Sequence, residues 1–249
     1  MPGLRAYWLG RVGYRTCWDL QRSLVDAVRE GRQPDTFLLL EHPHVFTMGR
    51  RGHADHLIWS EAECARRGVE VVWSDRGGDA TYHGPGQLVG YGILDLARLG
   101  VDILEYVHGL ETSLIGYLRT LGLTSEAGGP GLTGVWSHNG GPQGPLEKVA
   151  AIGCKLNQSI TSHGFALNLT TDLEIFNEGI VPCGLSGKRA TSVQALGGPP
   201  LGVEHAGRAY LPFLTRTLGL EPAWGEASEL EGLPPPVPEP AVGPRLQVL

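Results

Sequence analysis

Residues 180–189, IVPCGLSGKR, hold Cys183 between a proline and a glycine, in a stretch suited to turning the chain. Pro182 fixes its own φ and biases Val181 toward an extended conformation, and Gly184 permits a bend directly after the thiol. A cysteine displayed on such a turn can act as a nucleophile, with freed backbone N–H groups at hand for an oxyanion. The same pattern also suits a small buried hydrophobe, and both readings stay open on local sequence alone.

Two further segments hold residues of chemical interest. In RGGDATYHGPGQ (76–87), Gly77 and Gly78 would let the backbone approach a bound molecule, with Arg76, Tyr82 and His83 as polar contacts. Its other reading is a glycine-rich hairpin. It is neither a dinucleotide fingerprint nor a P-loop, since no helix start follows it. EKVAAIGCKL (147–156) alternates as a strand, placing Lys148, Ala150, Ile152, Cys154 and Leu156 on one face. Burial on that apolar face disfavours an ammonium, although a lysine at a strand end can also reach water along its stem. Cys154 reads as an inert core thiol. His42, His44, His53 and His56 cluster in sequence, but no cysteine or carboxylate set completes a metal site. His163, in TSHGFALN, fits either a core hydrogen-bonder or a site-lining residue.

The elements that must position these segments follow from periodicity. Helices are predicted over 16–30, 60–68, 102–121 and 203–218, the third opened by an Asp102/Glu105 capping box and closed before Gly122. Strands are predicted over 36–42, 69–74, 88–96, 131–136, 147–156 and 163–169. Without regular βαβ alternation, this order implies an α/β (α+β) domain with a mixed β-sheet flanked by helices. We expect a single domain over 1–219 and an irregular, Pro-rich C-terminal tail over 220–249.

Composition narrows the function classes. The 249 residues carry a formal charge of -6, which argues against general nucleic-acid binding. No apolar run is long enough for a membrane span, and the N-terminus lacks a secretory h-region, so a cytoplasmic location is expected. The four cysteines show no C-x-x-C spacing. The 37 glycines follow no period and read as turns and close approaches.

Five ordered blocks resemble the lipoyl(octanoyl) transferases of lipoate biosynthesis: RGGDATYHGPGQL (76–88), GVW (134–136), KVAAIG (148–153), HGFALN (163–168) and PCG (182–184). They cover about 110 residues, with weaker similarity around EHPHVFTMGR. The resemblance implies a fold shared with lipoate and biotin protein ligases. It also implies transfer of an octanoyl or lipoyl group from octanoyl-acyl carrier protein to a lysine of a lipoyl domain. The acceptors would be 2-oxoacid dehydrogenase complexes and the glycine-cleavage H protein, with no membrane or nucleic acid as partner.

By position, the resemblance makes Cys183 the acyl-thioester nucleophile and Lys148 the partner that lowers the thiol pKa. It places substrate contacts at Arg76, Gly77, Gly78, Asp79, Ala80, Thr81, Tyr82 and His83. Ala151, Ile152, Gly153, Gly164, Phe165 and Ala166 join them, together with His163. Thioester exchange followed by amide formation needs no ATP, metal or other cofactor. Two departures stand out: Asp79 lies where the family more often has a neutral or basic residue, and the 137–147 connection looks longer than usual. The rival reading is an ATP-dependent lipoate or biotin ligase of the same fold, which forms an acyl-adenylate and needs no thiol. A histidine-based zinc module and a free-standing thiol hydrolase complete the alternatives.

Overall fold

The computed structural model describes residues 1–129, 131–181 and 187–236. The chain opens with β1 (Gly3–Arg11), α1 (Tyr14–Arg29), β2 (Thr36–Glu41) and β3 (Val45–Met48). A 3-10 turn at Ala54–His56 leads to α2 (Glu61–Arg66), β4 (Glu70–Trp73), β5 (Ala80–His83) and β6 (Gln87–Ile93). Next come α3 (Leu96–Leu99), α4 (Ile103–Thr120), β7 (Glu126–Ala127), β8 (Val135–His138) and β9 (Leu146–Asn157). β10 (Ile160–Asn168), α5 (Leu173–Gly179), α6 (Val203–Leu218) and β11 (Glu221–Gly225) complete the order.

Among the described residues the strands form a mixed sheet in the order β11-β1-β2-β6-β10-β9-β8-β7, and a smaller one in the order β4-β3-β5. The central strands are apolar on both faces because helices cover both. Phe37 and Leu39 of β2 pack under α4 and α6, with Phe165 and Leu167 of β10. Leu38 and Leu40 face α1 with Val89, Tyr91 and Ala166. This two-sided burial explains the unbroken apolar run in TFLLLE. The small sheet shares a separate core with α2 and α5, built on Phe46, Tyr82 and Phe176.

The expected capping box is formed. Asp102 accepts from Leu104 N and Glu105 N, both at 2.8 Å, and Glu105 accepts from Asp102 N at 2.8 Å. Two expectations change. Residues 221–225 are not part of an irregular tail, because they pair in parallel with β1, and the 3-10 turn at Ala227–Leu230 packs behind them. Pro222 fits because an edge strand need not donate on both sides. The second change is on β9. The register slips opposite Val135 and Trp136, and Val149 and Ala150 both enter the core under α4 and α6. A bulge therefore takes Lys148 out of step with Ala150, Ile152 and Cys154. Among the described residues, no helix is long and apolar enough to cross a membrane.

Candidate active site

A pocket of about 440 Å³, counted out to its open mouth, lies between β5 with its preceding glycine loop and the strands β9, β10 and β6. Arg76, Gly78, Asp79, Ala80, Thr81 and His83 line one wall. Ala151, Ile152, Gly153, His163, Gly164, Phe165 and Ala166 line the other, with Tyr91 between them. The sheet side is kept open by small residues paired across β9 and β10, Ala151 with Ala166 and Gly153 with Gly164. Gly77 is absent from the wall but makes it possible. Its N–H donates to Cys154 O at 3.0 Å, and a Cβ there would come within 2.7 Å of that oxygen. Gly78 follows with φ +87°, a conformation that favours glycine. Tyr82 points the other way, into the core of the small sheet, where its hydroxyl bonds His44 Nδ1 at 2.7 Å.

Arg76 is 7% exposed and holds the loop together. Its Nε donates to Thr47 Oγ1 at 2.9 Å, Nη1 to Gly77 O at 3.0 Å, and Nη2 to Thr47 O and to Asp79 O. Replacing it with methionine keeps much of the volume but takes a donor from the Gly77, Thr47 and Asp79 carbonyls, of which Asp79 O keeps the Gly49 N–H at 3.1 Å. Each lost partner costs about 1–3 kcal/mol. Arg76→Met is therefore expected to lower stability by about 3 kcal/mol or more and Tm by roughly 6–12 °C. An unchanged melting curve would rule out the clamp.

Polar side chains behind the pocket form a continuous chain. His83 Nδ1 donates to Gln87 Oε1 at 2.8 Å, and Gln87 Nε2 donates to Asn168 Oδ1 at 2.9 Å. Asn168 Nδ2 in turn donates to Thr191 O at 2.8 Å, and Thr191 N donates to Lys148 O at 2.9 Å. His42 donates through Nδ1 to Val12 O at 2.6 Å and accepts from the Tyr91 hydroxyl at 2.9 Å. His163 holds Asp75 Oδ1 through Nε2 at 2.8 Å, while Lys155 Nζ reaches Asp75 Oδ2 at 2.6 Å. Burial alone would raise the Asp75 carboxyl, but its bonds from His163 and Lys155 outweigh this and hold it well below its usual range. Asp79 is occupied by His56, whose Nδ1 lies 2.9 Å from Oδ1.

Burial drives the histidines toward neutrality. His42 falls to about 4, His83 drops well below its ordinary value, and His163 is lowered despite Asp75. The unfolded chain protonates these groups near pH 6.5 while the fold excludes the protons. The unfolded state then binds more protons, so stability falls as pH drops below about 6.5. Each such histidine contributes about 1.4 kcal/mol per pH unit until its folded-state pKa is reached. Melts from about pH 7 to about pH 4.5 should show Tm falling steeply from near pH 6.5, and a flat profile would sink this account.

Lys148 stands on β9 three residues before Ala151, the first β9 residue of the pocket wall, and is 6% exposed. Its Nζ donates to Thr133 O at 2.9 Å and lies 4.8 Å from the Trp136 ring centroid. Its backbone N–H donates to Arg189 O at 2.9 Å, and Lys148 forms a parallel bridge with Ala190. On the opposite side, Val181 N donates to His56 O at 2.8 Å. Cys183 lies outside the described residues, within 182–186, but the chain on either side of it is fastened to Lys148 and to His56. Burial pushes the Cys17 and Cys154 thiols up to about 12, and Cys64 is raised by burial as well. None of these three is a ready thiolate at neutral pH.

The model of the lipoyl protein ligase A/B catalytic domain matches residues 13–213. The chain belongs to this family. It is 46% identical over 213 residues to the octanoyltransferase of Koribacter versatilis, covering 85% of this chain and 81% of that protein. It is 44% identical to the octanoyltransferase of Roseiflexus sp., with 90% of each covered. Among solved structures, a bipartite lipoate protein ligase from Thermoplasma acidophilum superposes with a TM-score of 0.71 at 17% identity, covering 93% of this chain and 89% of that one. At that identity the likeness bears on the fold, which is the mixed sheet flanked by helices expected from the sequence.

Within this family's fold, the pocket gathers all but two of the pocket residues expected from the sequence; Gly77 supports the wall from outside and Tyr82 faces away. Sequence reasoning missed Tyr91, which lines the pocket, and Asp75, Gln87 and Asn168, which hold its histidines and the Lys148 backbone. Gln87 and Asn168 close the HGPGQ and HGFALN blocks, so their position in those motifs was the available signal. Tyr91 and Asp75 carried none. The four clustered histidines diverge: His42 and His44 bond tyrosines, and His56 bonds Asp79 with His53 stacked edge-on against it.

Proposed function

We propose that this chain transfers an octanoyl or lipoyl group from acyl carrier protein to a lipoyl-domain lysine through a thioester on Cys183. The observation that carries the reading is Lys148, a buried lysine three residues along β9 from Ala151, whose backbone N–H bonds Arg189 O in the stretch that follows Cys183 in sequence. An ammonium beside the thiol favours the thiolate. The thiolate attacks the acyl carbonyl of the donor thioester, and the departing carrier thiolate takes its proton from the Lys148 side chain, which is left as the neutral amine. The acceptor lysine amine then attacks the enzyme thioester, the amide forms, and the Cys183 thiolate leaves. Lys148 receives the proton that the amine sheds. The acyl chain lies in the pocket along Ala151–Gly153, with Gly78, Asp79, Ala80, Thr81 and His83 across from it.

Both carriers must reach one site in turn. Arg50 and Arg51 are exposed beside the Arg76 loop, and Arg189 is exposed beyond the Cys183 segment, next to half-buried Lys188. These basic residues flank the pocket and suit an acidic acyl carrier protein. The acceptors are the lipoyl domains of 2-oxoacid dehydrogenase complexes and the glycine-cleavage H protein.

Incubation with octanoyl-acyl carrier protein should add one octanoyl mass to the enzyme, and adding a lipoyl domain should move that mass to the domain's lysine without ATP. An adduct that passes only to water would make the protein a hydrolase. Transfer that requires free acid and ATP would make it a ligase.

A further inference from the structure

We propose that the Lys155–Asp75–His163 chain is the stop that limits acyl length, an inference that rests on the acyl transfer proposed above. The pocket runs along β9 from the Lys148 end past Ala151 and Gly153, and His163 lies opposite Cys154 at its far end. At about 3.3 Å per residue, Ala151 to Cys154 spans about 10 Å, roughly the length of an extended eight-carbon chain.

The wall at that point is built to stay in place. His163 is 1% exposed and adopts φ +58°, a conformation unusual for a residue with a side chain. Its N–H is held by Gln21 Oε1 at 2.7 Å, and the Trp18 and Tyr91 rings flank it with centroids at 6.2 and 6.0 Å. Its Nε2 is committed to Asp75, and Asp75 to Lys155. A longer chain would have to push methylene groups into this buried ionic array, with no compensating hydrogen bond. Nδ1 is buried without a hydrogen-bond partner among the described residues, so the imidazole already holds one uncompensated polar atom that apolar methylenes cannot satisfy.

Space exists beyond the stop. Asp75 and Lys155 also line a second, solvent-open cleft, where Trp18 and Val25 stand beside the charged Arg22, Asp26 and Arg29. The His163 imidazole belongs to the first pocket and its partner Asp75 to the second. Removing the imidazole is therefore expected to join the two volumes.

The test offers the enzyme equimolar acyl-carrier proteins of six to fourteen carbons and reads the distribution of acyl-enzyme and amide masses. Wild type should favour eight carbons over twelve by about tenfold or more, and His163→Ala should raise the twelve-to-eight ratio by about tenfold. His163→Gln, which can keep a hydrogen bond to Asp75, should stay close to wild type. Wild type accepting dodecanoyl as readily as octanoyl overturns the inference even if the variants fail to fold. A folded His163→Ala that keeps the eight-carbon cutoff overturns it as well. Wild type acylated by no chain length removes the proposed function and this inference together.

Discussion

Cys183→Ser is expected to abolish the octanoyl thioester and to lower transfer by about 10³-fold or more. The reason lies in the nucleophile. A thiol is a few per cent ionised at neutral pH even when unperturbed, and a neighbouring ammonium raises that fraction. A serine hydroxyl offers no comparable anion, and any ester it formed would be a poorer acyl donor to an amine. The remaining described thiols do not stand in: Cys17 and Cys154 are pushed up to about 12 by burial, and Cys64 is raised too. Intact-mass measurement of wild type and variant with octanoyl-acyl carrier protein decides the point. An adduct of equal yield on Cys183→Ser would show that the acyl group sits elsewhere or never becomes covalent.

Lys148→Met should cost about 10²–10⁴-fold in transfer, the usual scale for a positioned acid–base group. Methionine retains apolar contact with Trp136 but has no charge to favour a thiolate and no site for a proton. The backbone bonds from Lys148 to Arg189 and Thr191 do not involve the side chain, so the strand flanking Cys183 should keep its place. Lys148→Arg separates the two roles. A guanidinium still attracts a thiolate but does not exchange protons near neutrality, so adduct formation should recover more than amide formation. Single-turnover acylation and steady-state transfer, measured side by side, provide the comparison. A Lys148→Met enzyme within tenfold of wild type in both would remove lysine from the mechanism.

The alternation of β9 shows where reading from sequence stops. Strict period two puts Lys148 with Ala150, Ile152 and Cys154. One bulge reverses that relation, because Val149 and Ala150 both turn into the core under α4 and α6. A bulge answers to the packing of a neighbouring strand, and local sequence does not record it. Likewise GLEPAWG follows a helix and precedes proline-rich sequence, yet residues 221–225 complete the sheet, because the edge of β1 offers them a parallel partner.

The sequence by itself determined the helices at 102–121 and 203–218 to within a residue or two, the strand at 36–42, the mixed-sheet class, and the ordered blocks that hold the pocket residues. These depend on periodicity, caps and motif chemistry, which are local. Only the tertiary structure decided that Arg76 clamps carbonyls from Thr47 and Asp79, that Tyr82 turns away from the pocket, and that Asp75 joins His163 and Lys155. The first two depend on how β3, β5 and the glycine loop fold together within the small sheet, and the third on the packing of that sheet against β9 and β10. Burial then sets the charge states of the histidines between them, and no stretch of sequence records its own burial.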